Sequence, residues 1–313
     1  MTAHSTTPSD ERGGLGDTLD LSAFFRLVGE VEAAPPDQAA IANASRPLSW
    51  WRRQWRRLWD TSSVRKAVLL LLLATAWHLY ARHLNNPLAL PDVLATARAL
   101  WQEFRSGELP LRILMSLKIL FAGYFIGVAC AALLSIAAMT SRLAGDLLET
   151  LTTMLNPLPA IALLPLALLW FGIGTFSIIF VIVHAVLWPI TLNVLAGFSS
   201  ISPTLKLVGR NYGLSGPRFA ARILIPAAFP SVVAGLKNGW ACAWRTLIAA
   251  ELVFGVSSGS GGLGWFIYEK KNQLETDAVF AGFCTVIIIG ILFERCVFYP
   301  LERRTLHRWG MRA

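Results

Sequence analysis

The chain has 313 residues, 55% of them hydrophobic and 15% charged, with a net charge of +9. Such a composition excludes an ordinary soluble domain. The basic residues gather beside apolar runs, as the positive-inside bias of membrane proteins requires, which argues against nucleic acid as the partner of the excess charge.

No Asp, Glu, Lys or Arg occurs over residues 150–205, and one membrane helix takes about 20 residues, so this stretch must fold back as two spans. The expected class is an all-α polytopic membrane protein. Its four cysteines, Cys130, Cys242, Cys284 and Cys296, fall in candidate spans without CxxC spacing and read as small buried hydrophobes, not disulfides or metal ligands. Residues 1–30 show no positive stretch followed by an apolar core, so no cleaved signal is expected.

In chain order, residues 1–47 are polar or small. Leu21, Phe24, Phe25 and Val28 can share a helical face that Pro35 and Pro36 end; a loosely ordered cytoplasmic tail and a partner-docking helix are the two readings. Over 48–60, Leu48, Trp51, Trp55, Leu58 and Trp59 line one face of a helix and Arg52, Arg53, Arg56 and Arg57 the other. Tryptophan at the headgroup level with arginine on anionic lipid predicts an interfacial helix. The remainder, 61–313, starts with a span at 67–81. A polar segment follows to 112, with Pro87, Pro91 and a short helix near 93–104. Further spans are expected at 119–139, 150–170, from 175 to 197, 231–254 and 278–299, with a short turn at 140–149 and an outer loop at 255–277.

Between the fourth and fifth spans, 199–225 is polar and carries Lys206, Arg210, Arg218 and Arg222 with no acidic residue. If it shares a side with both termini and the 140–149 turn, that side holds 18 Lys and Arg against 7 on the other. Both termini and this segment are therefore expected in the cytoplasm. A basic segment of this length, broken by Pro203, Gly209, Gly213, Gly216 and Pro217, reads as a docking surface more than a simple reversal.

Inside the spans, Pro157, Pro159 and Pro165 interrupt the third, where broken helix geometry is expected because proline removes a backbone hydrogen bond. Lys237, Arg245 and Glu251 are charges at membrane depth, each either structurally paired or facing a wet path. Lys237 and Glu251 lie about 20 Å apart along the helix and cannot pair with each other. Arg245 reads either as a contact for an anion or as a cation satisfied by carbonyls or by a carboxylate on another span. Pro157, Pro159, Pro165, Arg245 and Glu251 are thus the candidate path residues. His184, alone in an apolar run, reads as a hydrogen-bonded core residue. The glycines of 259–264 lack the Gly-Lys-Ser/Thr ending of a phosphate loop. No catalytic constellation or metal-ligand spacing is found, which leaves a membrane enzyme without support.

Gly213 is followed by Ile223, Ile225 and Pro226 at the spacing of a Gly, Ile-x-Leu-Pro pattern. This resembles the Glu-Ala-Ala signature of ABC importer permeases, with Leu207-Val208-Gly209 where Glu-Ala-Ala is usual and Ile225 in place of Leu. Asn156-Pro157-Leu158-Pro159-Ala160, Leu164-Pro165-Leu166 and Trp170-Phe171-Gly172 look like the third span of the nitrate/sulfonate/taurine branch. Ala243-Trp244, Ala249-Ala250-Glu251, Gly262-Leu263-Gly264, 276–282 and Leu301-Glu302-Arg303-Arg304 extend the likeness.

The resemblance implies six transmembrane helices of the type I importer permease fold in a bacterial inner membrane. It also implies a homodimer of this chain, two cytoplasmic ATPase subunits and an extracytoplasmic solute-binding protein. Lys206, Arg210, Gly213, Ile223, Ile225 and Pro226 would meet the ATPase. ATP and magnesium would bind that partner, since this chain has no Walker sequence, and no cofactor is expected here. The cargo implied is a small oxyanion such as a sulfonate, taurine or nitrate. The rival is an ion-coupled carrier, which needs acidic or histidine groups at mid-membrane, where Glu251 is the one solid acidic candidate.

Overall fold

The computed structural model describes residues 61–254 and 261–306. The tail 1–47, the interfacial helix 48–60, positions 255–260 and residues 307–313 lie outside the described residues. Two compact units divide after Leu71, inside the first helix. Of the first unit only the opening of that helix is described, with Leu69, Leu70 and Leu71 exposed. All that follows concerns the second unit.

Regular structure among the described residues is helical, as hydrocarbon demands: with no solvent partner, each backbone N–H and C=O must be satisfied within its own segment. In order the helices are α1 (Ser62–Leu84), α2 (Val93–Arg105), α3 (Glu108–Thr140), α4 (Arg142–Leu155), α5 (Leu164–Phe171), α6 (Thr175–Ser199), α7 (Pro203–Asn211), α8 (Gly216–Phe219), α9 (Ile225–Phe254), α10 (Leu263–Asn272), α11 (Thr276–Phe293) and α12 (Tyr299–Leu306). A 3₁₀ turn, Ala160–Leu163, precedes α5, and π turns at Ala220–Leu224 and Glu294–Phe298 lead into α9 and α12.

Among the described residues five helices are long and apolar enough to cross a membrane: α1, α3, α6, α9 with its π turn, and α11 continued through α12. The third expected span is not one helix. It is α4 followed by the 3₁₀ turn and α5, bent by 93°. The cause lies in the prolines: Pro157 and Pro159 supply no N–H, and Pro159 pushes Leu158 toward extended backbone. Pro165 does the opposite, sitting in the first turn of α5 where its missing N–H is harmless. The expected turn at 140–149 is also corrected. Only Ser141 is extended (φ −135°), and α4 starts at once because Arg142, Asp146 and Glu149 recur at helical spacing opposite buried Leu148 and Thr152. The outer loop likewise contains α10.

Small residues bring the spans together. A Cβ on Gly123 or Gly127 of α3 would come within 2.8 Å of Ile182 or Val186 on α6, and one on Gly235 or Gly239 of α9 within 2.9 Å of Asn193 or Ile190 on the same helix. Without a hydrophobic drive between helices in lipid, such close approach is what holds membrane helices together. An aromatic cluster fastens α3, α9 and α11: the Trp240 ring centroid lies 4.4 Å from that of Phe293, tilted, and 5.2 Å from that of Tyr124, edge to face. The Tyr124 hydroxyl donates to the Leu236 carbonyl at 2.9 Å. Lys237 finds its partners here, Glu294 at 2.5 Å and Glu302 at 3.1 Å, so the C-terminal helices neutralise it.

Candidate functional site

The bend between α4 and α5 leaves an open cavity of about 500 Å³ lined by three elements. The broken segment contributes Asn156, Pro159 and Ile161; α6 contributes His184, Trp188 and Pro189; α9 contributes Cys242, Arg245 and Thr246. Proline recurs because each one opens the wall. Pro189 inside α6 removes the N–H that would bond the Ala185 carbonyl, and Ala185 lines the same cavity. Arg245 spends its Nε–H on the Ala241 carbonyl at 3.1 Å and one terminal N–H on the Cys242 Sγ at 3.6 Å. No carboxylate forms an ion pair with it among the described residues, and its guanidinium stands exposed at the cavity. The ring nitrogens of His184 are buried, but the expected hydrogen bonds are not made: neither has a partner, and the same is true of the Trp188 Nε1.

Of the five candidate path residues, Pro159 and Arg245 meet at this cavity; Pro157, Pro165 and Glu251 are not part of its lining. Glu251 points into protein instead. It is 2% exposed. Ser116 Oγ on α3 lies 2.8 Å from both of its carboxyl oxygens, and the Gly264 N–H donates to Oε2 at 2.8 Å. Ser116 Oγ in turn accepts the Leu263 N–H at 2.7 Å. Glu251 and Ser116 together cap the first turn of α10, where N–H groups have no partner inside the helix. Glycine is required there, since a Cβ on Gly262 would lie 2.2 Å from the Glu251 carboxyl.

Beside this cap, α10 is held by ions. Arg112 donates to the Gly261 carbonyl at 3.0 Å and pairs with Glu269 at 2.9 Å and Glu108 at 3.2 Å. Lys270 bridges Glu103 at 2.8 Å and Glu275 at 2.9 Å. Desolvation pulls against its charge, yet the two carboxylates outweigh it and hold the ammonium well above the ordinary lysine range.

The basic segment forms an elbow. Ser202 caps α7 by accepting the Leu205 N–H at 3.2 Å, with Pro203 at the first helical position. The helix ends in a Schellman motif: Gly213 takes φ 72°, its N–H donates to the Arg210 carbonyl at 2.9 Å, and the Leu214 N–H reaches the Gly209 carbonyl at 3.1 Å. Gly209 is buried against Phe219, whose ring would lie 2.6 Å from a Cβ placed there. The candidate coupling residues split between two faces. Ile223 and Pro226 line a groove of about 490 Å³ with Leu205 and Arg222, while Arg210, Gly213 and Ile225 are exposed and Lys206 is half-buried. The sequence reading missed Gly209 as a contact, and missed exposed Leu207 and Tyr212, which give the elbow an apolar crest. Leu207 and Tyr212 stand amid the basic residues of a segment too polar for lipid, and that was their available signal.

The family profile "Binding-protein-dependent transport system inner membrane component" matches residues 123–305. A Methanocaldococcus jannaschii chain named for an ABC transporter permease is 32% identical over 80% of this chain and 94% of its own length. The taurine transport system permease protein of Escherichia coli is 30% identical over 78% of this chain and 89% of its own. An Escherichia coli chain named for aliphatic sulfonates transport is 32% identical over 71% and 82%. With five membrane helices, one broken span and matches along most of its length, the chain is a multi-pass permease component of the binding-protein-dependent ABC transport family, in the branch of the taurine, sulfonate and nitrate permeases.

Proposed function

We propose that this chain is the membrane-spanning subunit of an ATP-driven importer that moves a small oxyanion, of the sulfonate, taurine or nitrate kind, into the cytoplasm. Two copies work with two cytoplasmic ATPase subunits, which hold the ATP and magnesium, and with an extracytoplasmic solute-binding protein. The elbow 203–219 enters the ATPase through its apolar crest and basic flank, and both termini lie on that same side. Closure of the ATPases then rocks the helices around the cavity between inward and outward openings. The single observation behind this reading is the exposed guanidinium of Arg245 in a cavity between the broken span, α6 and α9, without a carboxylate partner among the described residues. An intramembrane cation of that kind marks a path for an anion.

The test is uptake in proteoliposomes that contain the permease, its ATPase and its binding protein. Accumulation of the binding protein's solute should require ATP inside the vesicle and stop with a hydrolysis-dead ATPase. Uptake that continues without the ATPase, driven by an ion gradient, would overturn the importer reading in favour of an ion-coupled carrier.

A further inference from the structure

His184 and Trp188 lie one helical turn apart on α6, ring centroids 5.9 Å apart and planes inclined by 72°, and both line the cavity that Arg245 faces. Three nitrogens in this wall lack a partner: Nδ1 and Nε2 of His184 and Nε1 of Trp188. Trp188 is only 8% exposed. An indole N–H can only donate, and an imidazole always offers at least one N–H. Buried polar groups are almost always satisfied, so donor capacity left idle at the edge of a cavity calls for an acceptor that enters it.

We propose that His184, Trp188 and Arg245 form an oxyanion-recognition subsite inside the permease itself, one that takes the charged head of the solute after its release from the binding protein. This rests on the importer reading above and adds to it a place and a chemistry. In the conformation described, neighbouring atoms cover the three nitrogens while other atoms of both residues line the cavity. In this subsite the rings turn about their Cβ–Cγ bonds to present a donor as the anion arrives. Arg245 supplies the charge, with N–H groups beyond the two spent on its own helix. Thr246 and Asn156 add polar edge, and Pro159 and Ile161 give an apolar floor for the body of an organic anion. No Asp or Glu among the described residues belongs to the lining, so none of them repels the head group.

The experiment is saturation-transfer NMR on the complete permease–ATPase complex in nanodiscs, without the binding protein. The probe is 1-propanesulfonate, with the neutral 1-propanesulfonamide as the charge control. The sulfonate should show transfer that nitrate competes away, and the sulfonamide should bind at least about tenfold more weakly, the size expected for hydrogen bonds to a charged group. Trp188→Phe and His184→Phe keep flat apolar rings and remove the nitrogens; each should weaken sulfonate binding about five- to tenfold, with Arg245→Gln weaker still. Co-purification with the ATPase reports assembly of each variant. Equal sulfonate binding by wild type and all three variants overturns the subsite, as does equal binding of the sulfonamide. If that occurs while ATP-driven uptake persists, the importer reading stands alone; if wild type shows no ATP-driven uptake, that reading fails first and takes the subsite with it.

Discussion

A carboxyl group at 2% exposure must find donors, and Glu251 finds them on two other elements, Ser116 of α3 and Gly264 of α10. Removing it leaves the Gly264 N–H and the Ser116 hydroxyl in the interior without their acceptor, each deficit worth about 1–3 kcal/mol. Glu251→Leu should therefore lower the thermal midpoint of the purified complex and open the segment after Gly261 to protease. Glu251→Gln should be much milder, because its amide oxygen can still accept the Gly264 N–H and its NH₂ can donate to Ser116 Oγ. Equal damage from both, read by thermal unfolding at one scan rate, would show that the negative charge and not the hydrogen-bond pattern matters. Lys270 gives the complementary case outside the membrane. Its folded pKa lies above the ordinary 10.5, so its pairing stabilises fully below that value and fades only as pH rises through the raised pKa. The benefit should be flat across neutral pH. Lys270→Met should cost about 2 kcal/mol, between an exposed and a buried pair, and by the same amount at pH near 6 and near 9. A cost that disappears at the higher pH would contradict the assignment.

In the elbow, two glycines carry different demands, and substitutions separate them. Gly213 has open space around it but a left-handed φ of 72°; Gly209 is helical, but Phe219 and Ile223 leave no room for a side chain. Gly213→Asn should be nearly silent, since asparagine tolerates that backbone, whereas Gly213→Val forces it out of the turn. Gly209→Val should push α7 off Phe219 at about 1–3 kcal/mol of overpacking and loosen ATPase co-purification while the spans stay inserted. Intact co-purification of Gly209→Val would remove the elbow's geometry from the coupling argument. The sequence made the elbow visible through its charge and its glycine spacing, and it made the spans visible through their length and lack of charge. It hid the first half of α4, where a short turn at 140–149 is the expectation, although Arg142, Asp146 and Glu149 recur with the period of a helix face. It hid the cap on α10, whose partners are 135 and 147 residues apart in the chain. In the cavity, Pro159 and Arg245 were legible as anomalies in an apolar run. Trp188 was not, since a tryptophan in a span looks like packing until its nitrogen is found without a partner.

For the whole transporter, a cavity bounded by a broken span, α6 and α9 can exchange sides only if those elements move against one another, and Cys242 offers a native probe of that movement. It lines the cavity next to Arg245, and it is a free thiol. Replacing Cys130, Cys284 and Cys296 by alanine leaves it as the one cysteine of the chain. A membrane-impermeant anionic methanethiosulfonate, drawn by the guanidinium beside it, should then react with Cys242 from the cytoplasmic side when nucleotide is absent. With the ATPases trapped closed by ATP and vanadate, reaction from that side should fall at least about tenfold, the change in exposed population that a bias of about 1.4 kcal/mol produces. Reaction from the extracytoplasmic side should rise in the same state. The reciprocal change is the decisive part: loss of labelling from both sides would mean simple occlusion, and labelling indifferent to nucleotide would mean that ATPase closure at the elbow does not reach the cavity. Arg245→Gln should slow the anionic reagent but not a neutral one in either state, separating the charge at the cavity from the motion that exposes it.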